Sequence, residues 1–460
     1  MRLKNLIATI CCLYISFSAT AQSALPKILD LEERAQVEEE ILEERIQTLL
    51  PSLMERSGID LWLLISREYN EDPVLKTLLP PTWLSARRTT MLVMYYPEGA
   101  DSVNPDRVEC LAVARYDVGS LFKKAWNPEE EPDQWERLAE IIAERDPKQI
   151  GVNTSEHFAQ ADGLAHTDYL HLIAALSTAQ AKKVVSAEKL AIGWLETRTE
   201  REEMLYEHIA RIAHHIIAEG FSEKVVHPGV TTTEEVVWWY RNRINELGLD
   251  AWFHPTVDVQ RADPSNTEQK RNFSKRPDKQ VIMPGDLLHV DFGITYLDMN
   301  TDTQENAYVL KPGETEAPPY LREAHQTALR LMDILTDNFR VGRTGNEILL
   351  ASIEEAKAEG IKPTIYTHPI GYYGHGSGPT IGLWDQQGGV PVKGDYPMYA
   401  NTAYSIELNA AVFISEWDKE VRMMVEEDAF FDGENVRYLD GRQKELFLIP
   451  RQRVNEVVEY

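Results

Sequence analysis

LLHVDFGITYLDMNTDTQENAYVL, residues 287–310, decides how the second half of this chain folds. Two apolar runs flank the turn-like ITYLDMN, and the aspartates Asp291 and Asp302 lie eleven residues apart across it. A hairpin symmetric about Tyr296 and Leu297 sets them opposite each other on one face. Cross-strand Cβ atoms there are about 4.5–5.5 Å apart, which suits carboxylates that share ions spaced about 3.5–4 Å.

Three more strand-like segments extend the pattern: YTHPIG with His368, AYSIELNAA with Glu407 and RMMVEEDAFF with Glu426. A glutamate inside an apolar strand needs a cation or a donor, because an uncompensated buried carboxylate is expensive. Asp291, Asp302, His368, Glu407 and Glu426 together form the ligand list of a paired divalent-metal hydrolase site. Two M²⁺ ions balance four carboxylates in full. Oxygen ligands with a single nitrogen favour Mn²⁺, Zn²⁺, Co²⁺ or Fe²⁺ over a thiolate zinc site, and Mn²⁺ stands first among them. In HPIGYYGH a second imidazole, His375, follows His368 by seven residues around a glycine.

The order and strings of these segments resemble the pita-bread metallopeptidases, the group that holds aminopeptidase P, prolidase, methionine aminopeptidase and creatinase. VDFG is similar to the family's D-x-G strand end, with the second aspartate eleven residues on. HPIGYYGH is similar to its metal-histidine string followed by a substrate histidine, SIELN loosely to TVEPG, and VEED to IEDD. The helix starts ETRTEREEMLYEHIARIA and HPGVTTTEE also resemble this fold. The resemblance covers residues 190–448 well. The first part of the chain is similar, more weakly, to the amino-terminal domain of aminopeptidase P, prolidase and creatinase.

The resemblance implies an α+β architecture, with a smaller creatinase-type α/β domain over 22–188 and a pita-bread catalytic domain over 189–460; residues 1–21 read separately as a signal peptide. It implies a dinuclear peptidase of the Xaa-Pro aminopeptidase or dipeptidase type, acting on peptides and often dimeric. The five residues would hold the ions, Glu407 would handle the proton, and His375 would donate to the carbonyl oxygen of the substrate. Two assignments keep rivals: GHGSG at His375 is a second metal-histidine string, and Glu427 competes with Glu426. Two departures stand out. Ser274 occupies the place of a family histidine, and Asp302-Thr303-Gln304-Glu305-Asn306 replaces D-x-T-R-T. A creatinase-like amidinohydrolase and a decayed metal-binding scaffold are the competing readings.

Arg2 and Lys4, the apolar LIATICCLYISFS and an A-x-A site at Ala19-Thr20-Ala21 read as a secretory signal, so export to the periplasm or beyond is expected, without stable membrane insertion after cleavage. Export leaves Cys110 as the single cysteine, so no internal disulfide is available. The formal charge of −27 argues against nucleic acid or an anionic membrane as partner.

Between the signal and the catalytic strands, residues 28–57 read as a charged helix ending at Gly58, followed by strands alternating with helices. His157, His166 and His171 read as ordinary surface or core residues. A helix capped by Thr199 and Glu202 should bury a stripe of Met204, Leu205, Ile209, Ile212, Ile216 and Ile217. His208, His214 and His215 on that helix read as a solvated or interface face. EEVVWWYRNRINELG predicts a second helix with its tryptophans in the core. The polar insertion 259–280, rich in Lys and Arg, and the loop QQGGVPVKGDYP are candidates for shaping a substrate pocket.

Overall fold

A computed structural model describes residues 25–97, 108–263 and 279–451. The signal segment, Ser274 and the basic residues Lys270, Arg271, Lys275 and Arg276 lie outside the described residues.

The first sheet has six strands: β1 (Leu61–Arg67), β2 (Thr89–Tyr95), β3 (Glu109–Ala112), β4 (Lys123–Lys124), β5 (Ile150–Val152) and β6 (Val184–Ser186). Their order is β4-β3-β2-β1-β5-β6, with β1 antiparallel to β2 and parallel to β5. β1 is buried on both faces from Leu61 to Ser66, which is why it reads as a continuous apolar run rather than an alternation. His157, His166 and His171 are all exposed. The helix before β1 is not continuous. Leu31–Glu44 and Leu50–Ser57 are α-helical, and a π-helical turn at Arg45–Leu49 joins them before Gly58 closes the run at φ 71°. That turn carries Arg45, which is fully buried.

The second sheet holds β7 (Thr256–Gln260), β8 (Leu287–Phe292), β11 (Thr303–Val309), β12 (Lys362–Ile365), β14 (Thr402–Ile414) and β15 (Lys419–Phe431) along its main path. The order is β12-β14-β15-β11-β8-β7; β13 (His368–Pro369), β16 (Val436–Tyr438) and β17 (Phe447–Ile449) attach to β14, β15 and β11. A small hairpin of β9 (Thr295–Tyr296) and β10 (Met299–Asn300) caps β8 and β11. Period-two alternation then divides the residues. Val290, Phe292, Ile406, Leu408 and Val425 pack into apolar clusters with the helices. Asp291, Gln304, Glu407 and Glu426 point to the other face. Each fully buried aliphatic side chain in such a layer contributes about 1.5–3 kcal/mol, so one side of the sheet anchors the fold and leaves the other for polar groups.

Four helices supply the covering layer: Glu200–Gly220, Thr233–Glu246, Pro319–Asp337 and Gly345–Ala358. Thr199, Thr232 and Thr344 each close a capping box with the glutamate three residues on. Thr344→Ala removes an acceptor for the Glu347 amide and should cost about 1 kcal/mol, read as a lower urea midpoint. The apolar stripes differ from the sequence expectation in two places. Met204 is exposed, and Tyr206 takes its place in the core. Trp238 is also exposed and Trp239 only partly buried, so the core face of that helix is made by Val236, Val237, Tyr240 and Ile244 rather than by the tryptophan pair.

Candidate metal centre

The hairpin that carries the two aspartates turns one residue later than its sequence symmetry suggests. Thr303 pairs Phe292 and Gln304 pairs Asp291, and Tyr296 pairs Met299 beyond them. Leu297 and Asp298 both take positive φ, 53° and 59°, the two left-handed residues of a type I′ turn. Asp291 therefore faces Gln304 directly, and Asp302 lies on the diagonal of the same face. Gly293 makes the crossing feasible, since a Cβ there would meet the Thr301 carbonyl oxygen at 2.3 Å.

The longest hairpin brings in the glutamates. β14 and β15 pair Glu407 with Glu426, and Gln304 in β11 pairs Glu426 from the other side. β13 sets His368 opposite Ser405. The sequence-selected ligands thus converge. Asp291, Asp302 and Glu426 present oxygens within 4.8 Å of one another, and so do the donor atoms of His368, Glu407 and Glu426. His368 Nε2 lies 3.8 Å from both Asp302 Oδ2 and Glu426 Oε1.

The chemistry of the donors fits divalent cations. His368 Nδ1 lies 3.0 Å from the Pro369 carbonyl oxygen, which fixes a proton there and turns the Nε2 lone pair toward the carboxylates. That buried Nε2 has no hydrogen-bond partner. Burial lowers the imidazole pKa to about 3, so the ring is neutral, as a ligand must be. Burial, and then the charges of Asp302, Glu407 and Asp291, push the Glu426 carboxyl well above the ordinary carboxylate value. Four acids this close stay ionised together only with cations among them.

Both sequence rivals separate here. Glu427 is the next residue on β15 and points to the helix face, where His214 Nε2 approaches its Oε2 at 2.9 Å. His375 is exposed, with its ring centroid 4.8 Å from that of His368, and its donor atom lies within 4.8 Å of those of Asp302 and His368. His368 sits among the carboxylates and His375 at their rim.

Several groups were not legible in advance. Gln304 donates from Nε2 to Glu407 Oε1 at 2.5 Å and Glu426 Oε2 at 2.6 Å. Its own oxygen meets His289 Nε2 at 2.8 Å, and His289 Nδ1 lies 3.5 Å from Asp258. The signal was present: Gln304 lies two residues after Asp302, and period two puts it on the ligand face. Ser405 donates to Glu426 Oε1 at 2.6 Å. Around His375 stand Trp252 at 5.3 Å and Tyr366 at 5.9 Å between ring centroids, with Trp384 edge-on to Tyr366. Gln160, from the first part of the chain, donates to the His375 carbonyl at 2.9 Å and accepts from Ser377. His254 packs instead on Trp238. The loop 386–397 reaches the same first part, with Tyr396 edge-on to Phe158 at 5.8 Å.

Residues 205–431 match the family model of metallopeptidase family M24. That stretch is an M24 metallopeptidase domain, with the pita-bread fold. Three solved structures show how far the M24 architecture extends. An X-Pro aminopeptidase from Thermotoga maritima superposes with a TM-score of 0.59 at 15% identity, covering 86% of this chain and 99% of that one. An Xaa-Pro dipeptidase from Bacillus anthracis gives 0.55 at 16% identity, covering 91% and 100%. The dipeptidase PepE from Mycobacterium ulcerans gives 0.55 at 17%, covering 90% and 99%. At such identities the likeness is one of fold, and it includes the six-stranded sheet as well as the M24 part. No curated protein matches the sequence.

Proposed function

We propose that this M24 protein is an exported peptidase that hydrolyses an N-terminal peptide bond, as an Xaa-Pro aminopeptidase or dipeptidase, with two divalent ions at Asp291, Asp302, His368, Glu407 and Glu426. The convergence of these five side chains on one sheet face carries the reading, with the His368 Nε2 lone pair aimed at two carboxylates. The names of the structural neighbours supply the proline preference, which is part of the proposal.

Bound divalent ions supply Lewis acidity and lower the pKa of a water to near neutrality. The residues do the rest. Glu407 takes the proton of the attacking water. His375, open at the rim, donates to the carbonyl oxygen as charge develops on it. Trp252, Tyr366 and Trp384 wall the rim and limit water access, and Gln160 holds the His375 backbone in place. His375→Ala should lower kcat/KM by about 10²–10³ with metal content unchanged, the loss expected for one oxyanion donor. Reduced metal content in that variant would instead make His375 a ligand.

One observation favours a second reading, a scaffold that has lost its metals: the Gln304 carboxamide already donates to Glu407 and Glu426. Two N–H groups cannot offset four carboxylate charges, which is why the metal-bearing reading stands first. Elemental analysis of protein purified with Mn²⁺ separates the two, and a panel of Xaa-Pro peptides beside a creatine assay separates peptidase from amidinohydrolase. No turnover of any panel peptide by metal-loaded protein would end the peptidase proposal. Export is tested separately, by sequencing the amino terminus of protein recovered outside the cytoplasm, with Gln22 expected first.

A further inference from the structure

A second donor cluster lies on the helix face of the same sheet. Neighbouring strand residues point to opposite faces, so Glu427 and Glu305 turn away from Glu426 and Gln304 and run beneath the Glu200–Gly220 helix. His214 on that helix meets them. One donor atom each of His214, Glu305 and Glu427 lies within 4.8 Å of the others.

Three details point to a ligand rather than to an ordinary ion pair. Glu305 is only 4% exposed, and its Oε2 has no hydrogen-bond partner. A buried carboxyl left in that state either keeps its proton, as burial favours here, or gives it up to a cation. Glu427 Oε1 accepts from the Gln443 amide at 2.7 Å, which leaves Oε2 facing His214 Nε2 at 2.9 Å. Asp440 Oδ2 lies 3.1 Å from His214 Nδ1, and Arg211 Nε holds Asp440 Oδ1 at 2.8 Å. With carboxylates on both nitrogens the imidazole is held protonated, so an ion that takes Nε2 displaces that proton to solvent while Asp440 keeps the other on Nδ1.

We propose that His214, Glu305 and Glu427 bind a further divalent transition-metal ion, Zn²⁺ by donor type, on the opposite side of the sheet from the catalytic centre. One imidazole nitrogen and two carboxylate oxygens are a three-ligand zinc set with a position left for water. Two carboxylate charges and one M²⁺ cancel. The 2.9 Å gap between Oε2 and Nε2 has to widen to about 3.4 Å around an ion with ligands at about 2.0–2.1 Å, a shift within the reach of two side chains. With 18% of the His214 side chain still accessible, the ion has a route in. The ion would tie the Glu200–Gly220 helix to β11 and β15, the two strands that carry Gln304 and Glu426. The inference does not depend on the substrate of the enzyme.

The full chain, stripped with chelator and reloaded with ZnCl₂, tests it by native mass spectrometry and by anomalous diffraction at the zinc edge. Three ions per chain are expected, falling to two in His214→Ala and in Glu305→Gln. An anomalous peak about 2.0–2.2 Å from His214 Nε2 is expected in the unaltered protein. If the variants do not fold, that map decides alone. Saturation with no peak among the three side chains, or zinc found only at other surface positions, overturns the proposal. A peak here with none between Asp302 and Glu426 would sink the dinuclear reading and leave this one intact.

Discussion

Glu407→Gln is expected to lower kcat/KM on an Xaa-Pro peptide by about 10³ or more, the combined scale of a lost general base and lost transition-state electrostatics. Glu407 is 5% exposed on β14, between Tyr366 and the Gln304 carboxamide. The substitution keeps the volume and removes both the proton acceptor and one of four ligand charges. It also sets a second carboxamide against Gln304, so the acceptor for its Nε2 survives only when the new amide presents oxygen. Metal analysis of the variant is essential to the reading. Full metal with lost turnover identifies proton handling as the function of Glu407. Lost metal identifies a ligand role first. Activity within tenfold of the parent, with metal retained, rejects the assignment.

Such a prediction was accessible from sequence because Asp291, Glu407 and Glu426 sit in strands that are otherwise largely apolar. SIELN and VEED place a charge where the burial pattern forbids one, and that conflict is local. Register is not local. Asp291 and Asp302 are symmetric about Tyr296 and Leu297, yet the chain turns at Leu297 and Asp298, where left-handed backbone matches the twist of the strands. The one-residue offset replaces a direct Asp–Asp pair with Asp291 opposite Gln304. Gln304 therefore entered the site unannounced. Helix faces were legible to within a residue or two: the Ile stripe of the Glu200–Gly220 helix is buried, whereas Met204 and Trp238 face outward. His214 could not have been separated from His208 and His215 by helical spacing. Its partners Glu305 and Glu427 arrive from two strands far along the chain. The aromatic rim was hidden for the same reason, since Trp252 and Tyr366 reach His375 from separate segments, and Gln160 reaches it from the first part of the chain.

Glu202→Ala should destabilise the fold by about 3–5 kcal/mol, because it strips the counter-charge from buried cations. Glu202 Oε2 meets Arg45 at 2.5 Å and Oε1 meets Arg198 at 2.8 Å, and all three side chains are essentially inaccessible. Burial raises the carboxyl, yet the charges of Arg198 and Arg45 outweigh it and hold the pKa below its ordinary value. The same carboxylate accepts the Thr199 amide at 2.8 Å, so the capping box is lost as well. Arg45 also donates to the carbonyls of Thr197 and Trp194, and Arg198 to that of Leu195. The Tyr372 ring lies 5.0 Å from the Arg45 guanidinium and 4.8 Å from that of Arg198. Tyr372 belongs to the HPIGYYGH loop, so loosening the triad should reach His368 and His375. Two readouts are therefore expected to move together: a lower urea midpoint, and a raised KM on peptide under conditions where the variant is still folded. Replacing Arg45, Arg198 and Glu202 at once by Met, Met and Leu should recover part of the midpoint, since an apolar triad leaves no charge uncompensated while the carbonyls of Trp194, Leu195 and Thr197 lose their guanidinium donors. An unfolding free energy for Glu202→Ala within about 1 kcal/mol of the parent would show that water reaches the two guanidiniums and that the triad is not sealed.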